Sequence, residues 1–190
     1  MFPTMNAWHR PDVLLGSPRD AGGCRKGAMN YCPIASVLGF ILSPDRKKVL
    51  MVHRISRKSD EQFGKYNGLG GHMERDEDIA SALVREIREE SSLEVVRMSL
   101  RGTINWTGFG PKGEDWIGFV FLVEETRGEA VSKNEEGPLE WVEIERIPTL
   151  QMWEGDKYFM PLVFDGDPRP FHGFMPYRDG HPVGWSHVRF

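Results

Sequence analysis

The sequence predicts an α+β fold in which helices pack on a mixed β-sheet. Apolar runs of strand length alternate with turn residues along most of the chain. One strongly amphipathic helix follows the first strands, and a second helical segment precedes the last ones, an order typical of layered α+β domains. The 190 residues suit one domain. With 39% hydrophobic and 27% charged residues, the chain has the composition of a packed globular protein.

The elements follow from these patterns in chain order. Ile34–Ser43 and Lys48–His53 are apolar runs on either side of a Pro44-Asp45 turn, which indicates a β-hairpin. A glycine-rich loop over Glu61–Gly71 leads into a helix from about Asp76 to Ser91, with Asp76 or Asp78 as N-cap. The remaining predicted elements are strands over Val95–Trp106, Trp116–Glu124, Leu139–Glu143, Phe171–Met175 and Val183–Val188, and a helix over Trp153–Phe164.

The ends and the charge of the chain limit its location and partners. Residues 1–30 have no periodic pattern and carry three prolines, so we expect an irregular N-terminal arm before a domain over residues 31–190. A net charge of -4 argues against a protein that coats duplex nucleic acid. No apolar run approaches the ~20 residues of a membrane span, and no secretory signal is evident. We therefore expect a cytoplasmic protein, either monomer or homodimer, that binds neither membranes nor duplex nucleic acid.

The chain has two cysteines, Cys24 and Cys32. Free thiols are expected at both, with one disulfide as the alternative.

The helix after the glycine-rich loop concentrates negative charge on one side. At 100° per residue, Glu86, Glu89 and Glu90 fall within an arc of about 100°. An apolar face adjoins them, formed by Ala80, Leu83, Val84 and Ile87. Like charges at this spacing destabilise a helix, and a divalent cation with hard oxygen ligands would compensate for them. Glutamate runs on helices more often form solvated faces, so the charge alone does not decide between the two interpretations.

The complete spacing decides in favour of a cation site. It resembles the signature of the Nudix family, which is glycine, five residues, glutamate, seven residues, then REUxEExGU with U aliphatic. The matching positions are Gly71, Glu77, Arg85-Glu86-Ile87, Glu89-Glu90 and Leu93. One position differs, because Ser92 stands where the family has the glycine that ends the helix.

The resemblance implies a fold and a reaction. Nudix domains are α/β/α sandwiches that hydrolyse nucleoside diphosphates linked to another group, with Mg²⁺, for which Mn²⁺ can substitute. By this resemblance Glu86, Glu89, Glu90 and the carbonyl of Gly71 are metal ligands. Arg85 orients the carboxylates, and Glu89 is the preferred candidate for activating water, although the base differs among family branches. Glu77, on the opposite side of the helix, is expected to bond to Arg85.

Three further stretches resemble the MutT-type branch, which removes oxidised purine nucleoside triphosphates such as 8-oxo-dGTP. They are Lys65–Gly71, Asn134–Val142 and Trp153–Leu162, the last followed by the sequence FHGF. In this branch Asn67 would bond the base, Trp153 would stack on it, and Asp156 would contact the purine edge. Glu136, or next to it Glu135, would complete the metal site. The mammalian members have two consecutive acidic residues where this chain has Gly155-Asp156.

Several assignments stay open. Arg54 and Lys65 are candidate phosphate clamps, against the alternative of solvated cations. Trp116, Phe63 and Met160 are candidates for the base pocket or for the core. The expected function is hydrolysis of a nucleoside triphosphate to a monophosphate and pyrophosphate, a step in sanitation of the nucleotide pool that avoids DNA damage. The alternatives are another pyrophosphate substrate (ADP-ribose, a dinucleoside polyphosphate or RNA 5′-triphosphate) and a non-catalytic, nucleotide-sensing Nudix domain.

Overall fold

The structure is a computed structural model that describes residues 31–56, 63–110 and 112–190. The chain divides between Cys32 and Pro33 into two compact units. The second unit, Pro33–Phe190, contains all the strands and helices of the described residues. The predicted arm, residues 1–30, lies outside the described residues. Cys32 is disulfide-bonded, so the free thiol expected at this position is wrong and the alternative of a disulfide is confirmed.

The described residues of the second unit form one mixed sheet. Its strands are β1 Ile34–Leu42, β2 Lys48–His53, β3 Tyr66–Asn67, β4 Glu94–Phe109, β5 Glu114–Arg127, β6 Leu139–Glu143, β7 Phe171–Arg178, β8 His181–Pro182 and β9 Ser186–Arg189. The strand order is β3-β2-β1-β5-β4-β7-β8, while β6 pairs with β2 and β9 with β7. The predicted β1–β2 hairpin is confirmed, whereas β1 pairs with β5, and β4 with β7, in parallel.

Two α-helices cover opposite faces of this sheet. Helix α1, Ile79–Ser91, packs on one core through Leu83 and Ile87, and helix α2, Asp156–Phe164, packs on the other through Phe159. Successive residues of β2 point to different cores, as strand geometry requires: Val49 and Met51 reach the α2 side, and Leu50 the α1 side. The predicted α+β sandwich is therefore observed. No helix in the described part of the chain is long and apolar enough to cross a membrane.

The ends of helix α1 are set by local chemistry. Asp78 is the N-cap, one of the two residues predicted, and its Oδ1 accepts hydrogen bonds from the amides of Ala80 (2.8 Å) and Ser81 (3.0 Å). At the other end Ser92 adopts the left-handed conformation, with φ of 63°. Its amide donates to the carbonyl of Arg88 at 2.9 Å. Serine therefore ends the helix where the family has glycine.

Helix α2 is fixed at its C-terminal end by a buried arginine. The Arg101 side chain, from β4, donates to the carbonyl of Val163 at 2.9 Å and to Asp165 Oδ1 at 2.9 Å. Arg189, from β9, bonds the second oxygen of Asp165 at 2.5 Å. These contacts satisfy carbonyls that the last turn of a helix leaves without partners. They therefore hold the helix whose first residue is Asp156.

Some element bounds differ from the prediction. Helix α2 begins at Asp156 instead of Trp153, because residues 153–155 form a turn closed by a hydrogen bond from the Asp156 amide to the Trp153 carbonyl (3.0 Å). A 3-10 helix over Ile144–Thr149, which was not predicted, follows β6. The closing strand expected over residues 183–188 is instead β9, Ser186–Arg189.

Candidate active site

Glycine at position 71 lets a carboxylate approach the backbone of the loop before α1. A Cβ atom added to Gly71 would lie 2.6 Å from Oε1 of Glu86, so a side chain at this position would displace the Glu86 carboxylate. The carbonyl of Gly71 accepts a hydrogen bond from the amide of Val37 at 2.9 Å. Because a carbonyl oxygen has two lone pairs, this one can still accept a second partner. Gly71 and Glu86 thus bring together a carbonyl oxygen and carboxylate oxygens, both of which can coordinate a metal ion.

Glu90 is the most deeply placed carboxylate of this helix. Its Oε2 accepts a hydrogen bond from the amide of Gly70 at 3.0 Å. Burial raises the pKa of Glu90 to about 8, opposed by that amide and reinforced by the charges of Glu136 and Glu86. Glu86, Glu90 and Glu136, which are three of the predicted metal ligands, therefore lie near one another. Each would be stabilised by a cation placed among them.

Arg85 connects the carboxylates on both sides of it. Its guanidinium bonds Glu77 at two points, 3.0 and 2.7 Å, which confirms the predicted contact between them. It also bonds Glu86 at 2.8 Å and Glu89 at 3.3 Å, and donates to the carbonyl of His72 at 3.1 Å. The bond to Glu77, followed by that to Glu86, holds the pKa of Arg85 above its usual range. A permanent charge thus fixes Glu86, while Glu89, with a side chain 61% exposed, keeps access to solvent.

Glu136 approaches this group from the loop before β6. A turn holds its backbone, because the Oδ1 of Asn134 accepts hydrogen bonds from the amides of Glu136 (2.9 Å) and Gly137 (3.2 Å). The side chain of Glu136 forms an ion pair with Arg54, at the end of β2. Glu135, the alternative candidate, is exposed. The structure therefore brings Glu136 toward Glu90 and pairs it with Arg54.

The donor set fits a hard divalent cation. It consists of carboxylate oxygens and one carbonyl, the ligands that Mg²⁺ and Mn²⁺ prefer. Glu86 lies against the backbone of Gly71, and the pKa of Glu90 is raised first by burial and then by the charges of Glu136 and Glu86. As the side chains stand, no group of three or more within the described ranges is close enough to hold an ion. Arg85 and Arg54 form ion pairs with three of the carboxylates, Glu86, Glu89 and Glu136.

A second group of predicted residues lies around Trp153. The Lys65 ammonium stands 3.7 Å from the centre of the Trp153 ring. The ring of Phe109 meets Trp153 edge-on at 5.5 Å. A cleft of about 440 Å³ opens here, with walls that include Phe109, Trp153 and Tyr177. This volume is within the range of small-molecule sites.

Asp156 supplies a carboxyl group to the region around Trp153. Its Oδ2 is buried and has no hydrogen-bond partner among the described residues, although the residue as a whole is half-buried. Burial raises the pKa of the carboxyl to about 7, against a backbone hydrogen bond from Trp153 and the charge of Lys65. A buried acceptor without a partner is costly, and a ligand group that donates to it would recover that cost.

Backbone hydrogen bonds join the two groups of residues. The amide of Arg54 donates to the carbonyl of Lys65 at 2.9 Å, and the amide of Tyr66 donates to the carbonyl of Gln151 at 2.8 Å. Asn67 ends β3 in this segment and is half-buried, with its Oδ1 accepting from the amide of Gly68 at 3.0 Å. The segment that carries Lys65 and Asn67 thus runs from the Arg54 side of the cluster to Trp153.

The other three candidates for the base pocket, Met160, Phe63 and Trp116, lie in different environments. Met160 is buried in the core on the α2 side, and Phe63 is 39% exposed. Trp116 meets Phe109 edge-on at 6.2 Å, and its Nε1 is buried without a partner among the described residues. Two cleft residues, Phe109 and Tyr177, were not predicted. No motif points to them, and only their pairing in β4 and β7 brings them to Trp153.

The chain resembles proteins of one family in sequence and in fold. The family model of the NUDIX domain matches residues 33–163. The oxidized purine nucleoside triphosphate hydrolase of Danio rerio is 33% identical over 124 residues, 65% of this chain and 76% of the relative. The mouse protein of the same name is 29% identical over 143 residues, 75% and 85% of the two chains. A MutT protein from Bacillus halodurans shares the fold, with a TM-score of 0.68, 24% identity and coverage of 81% and 97%. The chain therefore belongs to the Nudix family of hydrolases.

Proposed function

We propose that the protein hydrolyses nucleoside triphosphates to a nucleoside monophosphate and pyrophosphate, with Mg²⁺, and that it prefers oxidised purine nucleotides such as 8-oxo-dGTP. One observation carries the proposal. A carboxylate cluster suited to Mg²⁺ and a cleft lined by Trp153 and Tyr177 are joined by the backbone hydrogen bond between Arg54 and Lys65. The names of the fish and mouse relatives support the substrate class.

The carboxylate cluster supplies the reaction. Glu86, Glu90, Glu136 and the carbonyl of Gly71 would hold Mg²⁺, with Glu89 as a further ligand or as the base. When bound, Mg²⁺ polarises phosphoryl oxygens and makes water a better nucleophile. Because Glu89 is exposed, it can take a proton from the attacking water. The oxygen of that water bonds to the α- or the β-phosphorus as the P–O bond that bridges these two atoms breaks, so that the nucleoside monophosphate and pyrophosphate separate.

The arginines position the reacting groups. Arg85 keeps the carboxylates of Glu86 and Glu89 in place through its two-point bond to Glu77. Arg54 and Lys65, on adjacent chain segments, can bind the phosphates as they pass from the cluster to the cleft. Phosphoryl transfer depends mainly on such positioning and on neutralisation of charge.

The cleft supplies the selectivity. Trp153 offers a ring on which a base can stack, after displacing Lys65 from its face. Asp156 offers a buried carboxyl to the base edge, and Asn67 an amide from the adjoining segment. Such a nucleotide-sanitising enzyme acts in the cytoplasm, where nucleotides are oxidised before polymerases use them.

A hydrolysis panel tests this function. The purified chain with Mg²⁺ is incubated with 8-oxo-dGTP, the canonical triphosphates, ADP-ribose, diadenosine polyphosphates and triphosphorylated RNA, and the products are identified. We expect the largest kcat/KM for 8-oxo-dGTP, release of pyrophosphate and complete loss of activity with excess EDTA. Preferred cleavage of ADP-ribose, a dinucleoside polyphosphate or RNA would assign another pyrophosphate substrate. Binding without turnover of any compound would assign a nucleotide sensor, although all the box glutamates are present.

A further inference from the structure

Tyr177 fills the space that a side chain at position 155, next to Asp156, would need. Tyr177 lies on β7, is only 9% exposed and lines the same cleft as Trp153. A Cβ atom added to Gly155 would collide with the Tyr177 hydroxyl and would lie 2.5 Å from the sulfur of Met175. Only glycine fits at position 155, because the phenol already fills this corner of the cleft.

The Tyr177 hydroxyl is placed to donate. Burial raises the pKa of this phenol, and the neighbouring charge of Asp156 raises it further. The phenolic oxygen lies against the backbone of Gly155. A neutral phenol keeps its hydrogen, which the hydroxyl can donate to another acceptor. Asp156 does not take this proton through Oδ2, which has no partner among the described residues.

A neutral donor that lines the cleft, the Tyr177 hydroxyl, therefore lies near the buried carboxyl of Asp156. Phe109 packs edge-on against both Tyr177 (5.0 Å) and Trp153 (5.5 Å), so the three rings form one side of the cleft. A flat ligand ring on Trp153 would present its edge to the hydroxyl and the carboxyl together. Such a pair matches an edge that carries one acceptor and one N–H donor. The edge of guanine carries O6 and N7 as acceptors, and oxidation at C8 places a hydrogen on N7.

We propose that Tyr177 is a specificity-determining residue, whose hydroxyl donates a hydrogen bond to the purine edge while the Asp156 carboxyl accepts one from it. The inference rests on the proposed function, because it takes the cleft as the base site. It adds to that function a residue from β7, outside every motif of the sequence. A pyrimidine ring is smaller and leaves this donor without its acceptor, so the effect of Tyr177 is confined to purines.

Binding of monophosphates tests the proposal without requiring turnover. Tyr177→Phe removes one oxygen and keeps the ring that packs on Phe109. Calorimetry is used to measure the Kd of 8-oxo-dGMP, dCMP and inorganic pyrophosphate for the wild-type protein and for this variant. We expect the Kd of 8-oxo-dGMP to rise about tenfold and that of dCMP to stay within about twofold, because one buried hydrogen bond is lost for purines alone. Tyr158→Phe, which alters an exposed tyrosine of α2, is the matched control and should change neither value.

The outcomes separate the inference from the proposed function. An unchanged Kd of 8-oxo-dGMP in Tyr177→Phe would overturn the inference. An equal rise for 8-oxo-dGMP, dCMP and inorganic pyrophosphate would also overturn it, since it would show a general loss of structure. A wild-type protein that binds 8-oxo-dGMP but leaves 8-oxo-dGTP intact would refute the proposed reaction, while the two Kd ratios would still decide the role of Tyr177.

Discussion

Arg85 and Glu77, eight residues apart, form an ion pair with two parallel contacts, Nε to Oε2 at 3.0 Å and Nη2 to Oε1 at 2.7 Å. The pair joins the loop before α1 to the helix. The remaining nitrogen of the guanidinium, Nη1, bonds Glu86 and Glu89. Glu77 thus acts on the carboxylate cluster through Arg85 and does not belong to it.

Glu77→Gln should lower kcat about tenfold or more, because partners that orient metal-binding side chains typically contribute 10–100-fold to metal affinity or activity. Arg85 would lose one charged contact and turn toward Glu89. Steady-state kinetics across a Mg²⁺ titration measure the effect, with the exposed Glu94→Gln as control. Wild-type kinetics at every Mg²⁺ concentration would show that Glu77 has no part in orienting the cluster.

Glu89→Gln should lower kcat by about a hundredfold or more with little change in nucleotide affinity, because the base acts only in the transition state. Glu145→Gln, an exposed substitution on the 3-10 helix, is the control. Single-turnover hydrolysis of 8-oxo-dGTP separates the chemical step from binding. Turnover close to wild type would exclude Glu89 both as base and as ligand.

Trp153→Ala should weaken nucleotide binding by about 1–3 kcal/mol if the ring stacks on the base. The expected signature is a raised KM for purine triphosphates with the melting temperature retained. Trp141→Ala, on the outer face of β6, removes a tryptophan that is 41% exposed and serves as control. If KM does not move, the base binds elsewhere.

Ser92→Gly should stabilise the protein by about 1 kcal/mol, because glycine adopts positive φ without the steric cost that other residues have. The helix end and its hydrogen bond to Arg88 are unchanged by the substitution. Urea unfolding gives the free energy, and Ser132→Gly, at an exposed loop position, controls for the effect of glycine in the unfolded chain. A loss of stability would mean that the Ser92 side chain supports the helix end.

Asp156 should make stability fall as pH rises. Its pKa is about 7 in the folded protein against 3.8 for an ordinary exposed carboxyl, so between these values the folded state holds a proton that the unfolded state has released. This contribution is complete below pH 3.8 and is lost as pH rises through about 7. The charges near the carboxyl belong to Lys65 and, when ionised, Tyr177.

Asp156→Asn removes the titration and keeps the shape of the side chain. Urea unfolding at about pH 5 and about pH 8 should show a smaller loss of stability in the variant than in the wild-type protein. Asp179→Asn, in the exposed turn after β7, should leave the pH dependence as it is. A wild-type protein whose stability rises between these two pH values relative to the variant would contradict the raised pKa.

The sequence predicted well those elements whose bounds depend only on residues close together in the chain. The bounds of β2 and β6 were predicted to the residue, and the cap at Asp78 follows from helix chemistry. The 3-10 helix was missed because it is short and contains Pro148. The parallel pairs, β1 with β5 and β4 with β7, join distant segments, and no local signal specifies them.

The same distinction holds within the site. Glu86, Glu89 and Glu90 share one helix, so their proximity follows from helical geometry. The ion pair between Arg54 and Glu136 joins a strand end to a remote loop, and it could be placed only by the fold. Tyr177 is the clearest site residue that the sequence did not predict. Its one trace in the sequence is the glycine at position 155, where a side chain would collide with the Tyr177 hydroxyl.

Helix α1 and Tyr177 lie on opposite faces of the sheet. Leu83 and Ile87 of α1 pack in one core, and Phe159 of α2 and Tyr177 belong to the other. Free-energy effects of substitutions at distant sites without shared partners usually add. During divergence, residues around Trp153 could therefore exchange one base preference for another while the hydrolytic helix stayed unchanged. A combined variant with Ser92→Gly on one side and Tyr177→Phe on the other should show the sum of the two single effects on stability.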